Sequence, residues 1–187
     1  AVARIGEQDV IITPSGFVVQ AATGNILAEK QFQLSNNSPL VAGGVVFAHE
    51  SGEVKAFALP KTIAKPFALQ LLWESSGARD QRMASAVLHE GLLYAAGRKG
   101  ILDVVEAQTG RVVYRKRLSI GEVFSSPTVA GGLIFLAGMD GATLVLRPGE
   151  EYTEVARNST ERTSALPVFD GRRLYLRTDK HLYCIGE

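Results

Sequence analysis

The sequence has very few of the residues that carry most redox and metal chemistry. It contains one cysteine, three histidines and two methionines among 187 residues. A single cysteine excludes a disulfide within the chain. No apolar run approaches the roughly 18–20 residues of a membrane-spanning helix, so we expect no membrane span. Residues 1–9 lack the basic and apolar regions of a signal peptide, so a leader was either never present or already removed.

The sequence also lacks an excess of either positive or negative charge. There are 20 basic and 19 acidic residues, and the formal net charge is +1. This balance gives no electrostatic reason to expect binding to nucleic acid or to an anionic membrane. The hydrophobic share of 46% is ordinary for a globular chain. We therefore expect residues 1–187 to form a single domain with one sizeable core and no nucleic-acid partner.

What the sequence does contain is a repeat. Four segments read alike, and they cover residues 38–47, 85–94, 126–135 and 165–175. Each has a short apolar stretch, a glycine turn and a second apolar stretch with an aromatic residue. These aromatics are 47, 41 and 40 residues apart, and they are Phe47, Tyr94, Phe135 and Tyr175. A period of about 40–50 residues suits the four-stranded blade of a β-propeller, so we expect equivalent, buried positions for the four rings.

The repeat predicts an all-β fold of four-stranded antiparallel blades. In the unit that starts at Ser126, glycine turns at 131–132 and 138–141 separate three strands, and Tyr152 begins the fourth. The same pattern gives repeat units near residues 1–33, 38–75, 84–118, 126–158 and 165–187. The last unit has only three strands, so we count about four and three-quarter blades. Residues 60–69 interrupt the period and predict a longer loop within the second unit.

The last unit leaves one strand edge without a partner, and more than one arrangement satisfies it. Residues 1–5 could pair beside residues 181–185 and close a ring of five blades. Alternatively, the chain is the C-terminal part of a larger ring, or its open ends bury against a second copy. We favour a larger ring, because the chain begins inside the repeat phase. Between closure and self-association we favour self-association, because residues 1–5 are also needed in the first unit.

Two segments resemble the propeller repeat of pyrroloquinoline-quinone proteins. Residues 100–114 (GILDVVEAQTGRVVY) and 18–27 (VVQAATGNIL) are similar to the motif Gly-x-Leu-x-Ala-Leu-Asp-Ala-x-Thr-Gly-x-x-x-Trp, and residues 174–186 resemble the closing segment of bacterial members. The family has a dehydrogenase branch, which binds the quinone and calcium on the propeller axis. It also has a non-catalytic branch that includes the lipoprotein of the outer-membrane barrel-assembly machinery, and the resemblance favours this branch.

This sequence departs from the motif at positions that dock neighbouring blades in the family. The aspartate of the motif is replaced in every unit, by Gln20, Ala58, Glu106, Arg147 and Gly186. Its tryptophan is Ala28 and Tyr114 in the two units that keep Thr-Gly. The resemblance therefore implies altered docking between blades. The dehydrogenases also carry a disulfide between adjacent cysteines beside the quinone, which a lone Cys184 cannot form.

The residues that could carry chemistry stand apart from one another. His49, His89 and His181 fall in different units, and none has a histidine, cysteine or acidic partner at a metal-ligand spacing. We expect surface or structural roles for all three. Cys184 sits between two apolar neighbours in a predicted strand, which favours a buried, unreactive thiol.

Three further features have structural explanations. Residues 97–100 and 138–141 are glycine-bounded turns, but no predicted helix follows either, so we interpret them as hairpin turns and not as phosphate sites. Residues 115–117 and 172–173 are the densest basic spots, and basic side chains on outer strands discourage edge-to-edge pairing. Trp73 closes a predicted fourth strand, where the resemblance implies packing between blades.

No residue stands out as catalytic, cofactor-binding or metal-binding, and we expect no cofactor. We expect a non-catalytic propeller, not an enzyme, that offers loops or an axial face to a protein or glycan partner. The alternative is the C-terminal part of a quinoprotein oxidoreductase whose quinone and calcium ligands lie outside this chain. A lectin-like propeller would repeat an aromatic and polar pair in each blade, but the repeated aromatics here lie on buried-looking strands. The resemblance implies an exported or periplasmic bacterial protein.

Overall fold

The computed structural model describes residues 1–186, and every regular element in this range is a β-strand. The strands form five antiparallel sheets, four with four strands and one with three. The predicted all-β class and its four-stranded antiparallel blades are therefore confirmed. The part of the chain that the structure describes contains no helix that could cross a bilayer.

The first two blades use consecutive strands of the chain. The first blade consists of β1 (Val2–Ile5), β2 (Gln8–Ile12), β3 (Val18–Gln20) and β4 (Ile26–Ala28). The second consists of β5 (Leu40–Ala42), β6 (Val45–Glu50), β7 (Glu53–Ala58) and β8 (Gln70–Ser76). The predicted longer loop follows β7, and its side chains Ile63 and Phe67 pack against the core between these two blades.

The remaining blades repeat the same order. The third consists of β9 (Val87–His89), β10 (Leu92–Ala96), β11 (Ile101–Glu106) and β12 (Val112–Arg117). The fourth consists of β13 (Thr128–Ala130), β14 (Leu133–Ala137), β15 (Ala142–Arg147) and β16 (Thr153–Ser159). The fifth consists of β17 (Val168–Asp170), β18 (Arg173–Arg177) and β19 (Leu182–Gly186).

The first strand settles one of the alternatives left open by the sequence. β1 pairs with β2 and is the innermost strand of the first blade. Among the described residues, β19 pairs with β18 alone. Residues 1–5 are therefore not paired beside residues 181–185, and ring closure by that pairing is not formed among the described residues.

The antiparallel order places two kinds of connection at opposite ends of the blades. Hairpins between first and second strands, and turns between third and fourth strands, lie at what we call the upper end. Turns between second and third strands, and the links from one blade to the next, lie at the lower end. Each seam between two blades therefore has an upper and a lower mouth.

The four repeat aromatics share one register position but not one degree of burial. Each pairs with the first residue of the preceding strand, and these partners are Leu40, Val87, Thr128 and Val168. Phe47 and Tyr94 are buried, whereas Phe135 and Tyr175 are half-buried. The predicted equivalence is confirmed, and the predicted burial holds for two of the rings. The buried clusters draw almost entirely on the first four blades, so the last blade covers its neighbours less.

Each outer strand of the four-stranded blades carries a β-bulge at the same place. The extra residue of each bulge is apolar, and these residues are Leu27, Leu72, Val113 and Val155. A bulge bends its strand and increases the local twist. The next residue is the one that corresponds to the tryptophan of the motif, at Ala28, Trp73, Tyr114 and Ala156.

Serine residues link the blades near the start of their innermost strands. The backbone N–H of Ser38 donates to the hydroxyl of Ser85 at 2.9 Å, and the N–H of Ser85 donates to the hydroxyl of Ser126 at 3.0 Å. These serines occupy one repeat position, which Leu166 takes in the last unit. The Ser85 and Ser126 hydroxyls therefore each accept a hydrogen bond from an amide of the preceding blade.

Candidate functional site

An open groove of about 560 Å³ lies at the upper mouth of the seam between the second and third blades. Its apolar lining includes Ala42, Val45, Phe47, Leu88 and Leu92. Hairpin turns of both blades and the turn between β11 and β12 border it. The volume is within the range of ligand clefts, and loops at one end of a rigid scaffold are where binding residues concentrate.

Acidic side chains dominate the rim of this groove. Glu90, Glu106 and Glu150 line it, and Arg111 stands beside two of them. Arg111 Nη2 lies 3.3 Å from Glu150 Oε1, and its Nε lies 3.5 Å from Glu106 Oε2. The Thr109 hydroxyl donates to Glu106, and this bond together with the Arg111 charge lowers the pKa of the Glu106 carboxyl. Three carboxylates against one guanidinium leave the rim with a net negative charge.

Glu90 occupies a turn position that favours glycine. Its backbone is left-handed, with φ +49°. The corresponding hairpin turns of the second and fourth blades have Gly43 and Gly131 there, both with φ +56°. A residue with a side chain in this region costs roughly 1–2 kcal/mol, whereas glycine adopts it readily. The third blade thus keeps a carboxylate at the rim despite a less strained alternative.

Trp73 packs directly under the groove. Its ring centre lies 6.1 Å from that of Phe47, and its indole N–H donates to the Ala107 carbonyl at 3.1 Å. A Cβ placed on Gly110 would lie 2.5 Å from Trp73 Cε3, so the indole needs glycine on the facing turn. The implied packing of Trp73 between blades is confirmed. Phe47 and Ala107 both line the groove, so the indole contacts two of its lining residues.

The seam between the fourth and fifth blades carries a corresponding groove of about 460 Å³ with the opposite charge. Phe135 takes the register position of Phe47, and its ring centre lies 4.7 Å from that of Phe169, with the two rings tilted. Arg172 and Arg173 line this second groove, which we call the basic groove. The same repeat position therefore borders two grooves of opposite charge. One is the basic groove, and the other is the groove between the second and third blades, which we call the acidic groove.

A buried ionic cluster lies toward the lower end of the seam under the acidic groove. Asp103 is 1% exposed and accepts hydrogen bonds from Arg82, from Arg115 and from the Ala78 N–H at 2.8 Å. Arg82 is itself 0% exposed and donates to the Ala78 carbonyl at 3.2 Å. His49 Nε2 lies 3.6 Å from Asp103 Oδ2. The cluster joins both blades to the link between them.

The protonation states of this cluster follow from its contacts. Burial raises the pKa of the Asp103 carboxyl, but His49, the Ala78 amide, Arg115 and Arg82 outweigh it and hold the pKa far below its usual value. Burial lowers the pKa of His49, and this exceeds the opposing effect of Asp103. At neutral pH Asp103 is charged and His49 is neutral. Both carboxylate oxygens of Asp103 accept hydrogen bonds, so the cluster is suited to holding the two blades together.

The three histidines lie in different blades. His49 belongs to the ionic cluster, His89 Nε2 is 3.8 Å from Glu90 Oε1, and exposed His181 has its Nδ1 2.9 Å from Glu161 Oε1. Within residues 1–186, no three histidine, cysteine, aspartate or glutamate side chains are grouped so that they could hold a metal ion.

Two predictions about side-chain placement are wrong. Cys184 is exposed, not buried, because β19 is the edge strand of a sheet whose outer side no other described strand covers. Residues 115–117 do lie on an outer strand, but Arg172 and Arg173 lie at the hairpin of the fifth blade, beside the basic groove. The hairpin β17–β18 was identifiable, but the groove beside it forms only when two blades meet.

The ionic cluster was missed by sequence reasoning, although one signal for it was present. Asp103 and Arg115 face each other when residues 101–106 pair with residues 112–117. This opposite-charge pair across two predicted strands marked Asp103 as a paired carboxylate. Arg82 and His49 gave no comparable signal, because they reach Asp103 from a link and from another blade.

Comparison with known proteins places this architecture in a family. Residues 70–185 match the family model described as outer membrane protein assembly factor BamB. No curated protein sequence matches the chain.

Solved structures share the fold at low sequence identity. The crystal structure of BamB from Moraxella catarrhalis has a TM-score of 0.69 and 15% identity, over 94% of this chain and 53% of that one. The computationally designed Ika8 protein has a TM-score of 0.63 and 16% identity, over 93% and 53%. Quinohemoprotein alcohol dehydrogenase ADHIIG from Pseudomonas putida HK5 has a TM-score of 0.58 and 13% identity, over 77% and 28%.

At such identities these structures show the fold alone, and this chain spans about half the length of the first two. They establish the propeller architecture that the five sheets and the repeat indicate. The family match covers more than half of the residues. The chain therefore belongs to the family described as outer membrane protein assembly factor BamB, within the propellers of the pyrroloquinoline-quinone type.

Proposed function

We propose that this chain is a non-catalytic propeller of the bacterial envelope that binds a partner protein at its upper end. The observation that carries the proposal is the open apolar groove between the second and third blades. Apolar, solvent-open clefts with a polar rim are typical of interaction sites. The family description, an assembly factor of the outer membrane, supports a protein partner and an exported, periplasmic location.

The chemistry of the groove favours binding over catalysis. A general acid or base needs a pKa near the working pH, and enzymes obtain it by burying or crowding the group. The groove carboxylates stand on an open rim, and the pKa of Glu106 is lowered, not raised. Its walls offer mainly aliphatic and aromatic side chains. Apolar walls can hold a partner side chain, but they offer no group that could transfer a proton to or from it. The carboxylates stand at the rim and not on these walls.

The quinoprotein alternative places its quinone and calcium ligands outside this chain. Its support is the fold shared with the quinohemoprotein alcohol dehydrogenase. Cys184 is the one cysteine of the sequence and lies exposed on β19, so the adjacent-cysteine disulfide of that branch cannot form within this chain. We derive no cofactor chemistry for this chain.

Site-specific photocrosslinking in the native bacterium tests the proposal. A photoreactive phenylalanine analogue at Gln108, on the groove rim, should crosslink to a discrete protein species of the envelope. The matched control carries the analogue at Lys99, an exposed residue in a turn at the lower end of the same blade. We expect the Gln108 adduct without the Lys99 adduct. Equal crosslinking at both positions, or none at Gln108, would contradict the proposal.

A further inference from the structure

We infer that the acidic groove between the second and third blades binds a peptide segment in which an apolar side chain is flanked by lysine or arginine. The inference rests on the proposed function and names the chemistry of the partner segment. Three independent features carry it: the lining of the groove, the charge of its rim and the backbone of Glu90.

The lining selects an apolar side chain. Phe47 forms the inner wall, and Leu88 and Leu92 form the side that belongs to the third blade. Burying an apolar side chain against such a wall is favourable, because it removes apolar surface from water. Trp73 packs against Phe47 and donates a hydrogen bond to Ala107, so these two lining residues are held in place before a ligand binds. Binding therefore loses little conformational entropy at this part of the groove.

The rim selects positive charge beside that apolar group. Glu90 and Glu150 both point into solvent, with 72% of each side chain exposed, and Arg111 offsets only part of the rim charge. Cationic side chains can reach these carboxylates while an apolar neighbour fills the groove. The same potential repels anionic segments and anionic lipid headgroups. A basic and apolar peptide is the occupant that satisfies both the wall and the rim.

The basic groove shows that the charge is particular to one seam. It shares the register and the aromatic wall but carries Arg172 and Arg173. If the repeat alone dictated the rim, the two mouths would carry similar charges. The acidic groove therefore has its own charge selectivity, and the basic groove is an internal contrast within the same molecule.

The left-handed backbone of Glu90 indicates that its carboxylate has a role other than stabilising the fold. The turn would be less strained with the glycine that the second and fourth blades use at this position. Strained residues are enriched at binding and catalytic sites, and strain is the observation from which such a role is inferred. Glu90 is the residue we assign to contact the cation of the bound segment.

Short peptides of defined charge test this inference directly. The probes are dye-labelled pentapeptides with the sequences Lys-Leu-Lys-Leu-Lys, Glu-Leu-Glu-Leu-Glu and Lys-Ser-Lys-Ser-Lys, and fluorescence polarisation measures their affinity. We expect the first to bind at least about tenfold more tightly than the other two, which corresponds to about 1.4 kcal/mol. An unlabelled copy of the first peptide should change the Trp73 emission, because the indole packs under the groove.

Two variants of Glu90 separate binding from folding. Glu90→Lys should weaken the basic peptide about tenfold and weaken it less at high salt. Glu90→Gly should weaken it as well, while the urea midpoint stays equal or rises because the turn loses its strain. The matched control is Asp170→Lys, the same charge change at the corresponding hairpin of the fifth blade. It should leave binding of the basic peptide unchanged.

Failure of the inference and failure of the proposed function give different results. Equal affinity for all three peptides, or binding that Glu90→Lys does not change, overturns the inference. Crosslinking from Gln108 to an envelope protein would in that case still support the proposed function. Tighter binding of the acidic peptide would locate recognition at the basic groove and would also overturn the inference.

Discussion

Asp103 is the residue on which the contact between the second and third blades depends most. Its charged carboxylate is buried with the guanidinium of Arg82, and Arg115 and the Ala78 amide complete its hydrogen bonds. Removing one member of such a pair leaves an uncompensated buried charge and costs about 3–5 kcal/mol. His49 faces this carboxylate from the neighbouring blade, and Glu50 and Arg82 are the other charges that act on it.

We predict that His49 makes the fold sensitive to mild acid. Its pKa is lower in the folded protein than in the unfolded chain, so the unfolded chain binds more protons between the two values. The free energy of unfolding should therefore fall as the pH drops below about 6.5, by at most about 1.4 kcal/mol per pH unit. His49→Gln should remove this part of the slope in urea titrations between pH 7.5 and 5.5. The exposed His181→Gln variant is the control, and an unaltered slope in His49→Gln would refute the prediction.

At the scale of the element, the turn between β11 and β12 receives the outer-strand aromatic of the second blade. Trp73 on β8 packs on Gly110 in this turn of the third blade. The bulge in β8 adds Leu72 just before Trp73, so the strand bends where the indole meets the next blade. The docking of the second blade on the third thus combines a bulge in β8 with a glycine that has no side chain in the facing turn.

A pair of glycine variants isolates this docking contact. Gly110 and Gly24 both close Thr-Gly turns with similar φ, +78° and +73°, but a Cβ on Gly24 would meet nothing within 4 Å. Gly24→Ala should cost about 1–2 kcal/mol of unfolding free energy from backbone strain alone. Gly110→Ala should cost about 1–3 kcal/mol more, because its methyl group overlaps the indole. Equal losses in urea melts would show that Trp73 does not depend on this turn.

The elements themselves were largely readable from the sequence. Glycine turns bound β10 and β14 at both ends and precede β11 and β18, and such turns interrupt the alternation of a strand. The apolar pattern of the first unit predicts a fourth strand over residues 26–32, but β4 covers only Ile26–Ala28. The grooves were not readable, because each forms where two blades meet, and no single repeat unit contains both walls. The exposure of Cys184 and the reach of Arg82 to Asp103 depend on neighbouring elements in the same way.

Over the whole molecule, stability should be graded along the chain. Every residue of β10 is buried, whereas four of the five residues of β19 are exposed. Local opening is easiest where few apolar contacts hold a segment, so amide exchange follows burial. We predict the slowest exchange in β10 and β11 and the fastest strand exchange in β19. Protection of β19 equal to that of β10, measured by hydrogen exchange on this chain, would contradict the gradient.

The serine hydrogen bonds give the chain of blades a direction. Ser38 donates its amide to the Ser85 hydroxyl, and Ser85 donates its amide to the Ser126 hydroxyl, so both bonds run in the same direction along the chain. A second copy of residues 38–84, inserted after residue 84, would begin with a serine. Its hydroxyl could accept from the amide of the preceding blade, and its own amide could donate to the hydroxyl of the following blade. Its neighbours on both sides would keep the serine hydrogen bonds that they already make. This one contact would therefore be unchanged if the molecule lengthened by whole blades, and Leu166 marks the unit in which the serine is missing.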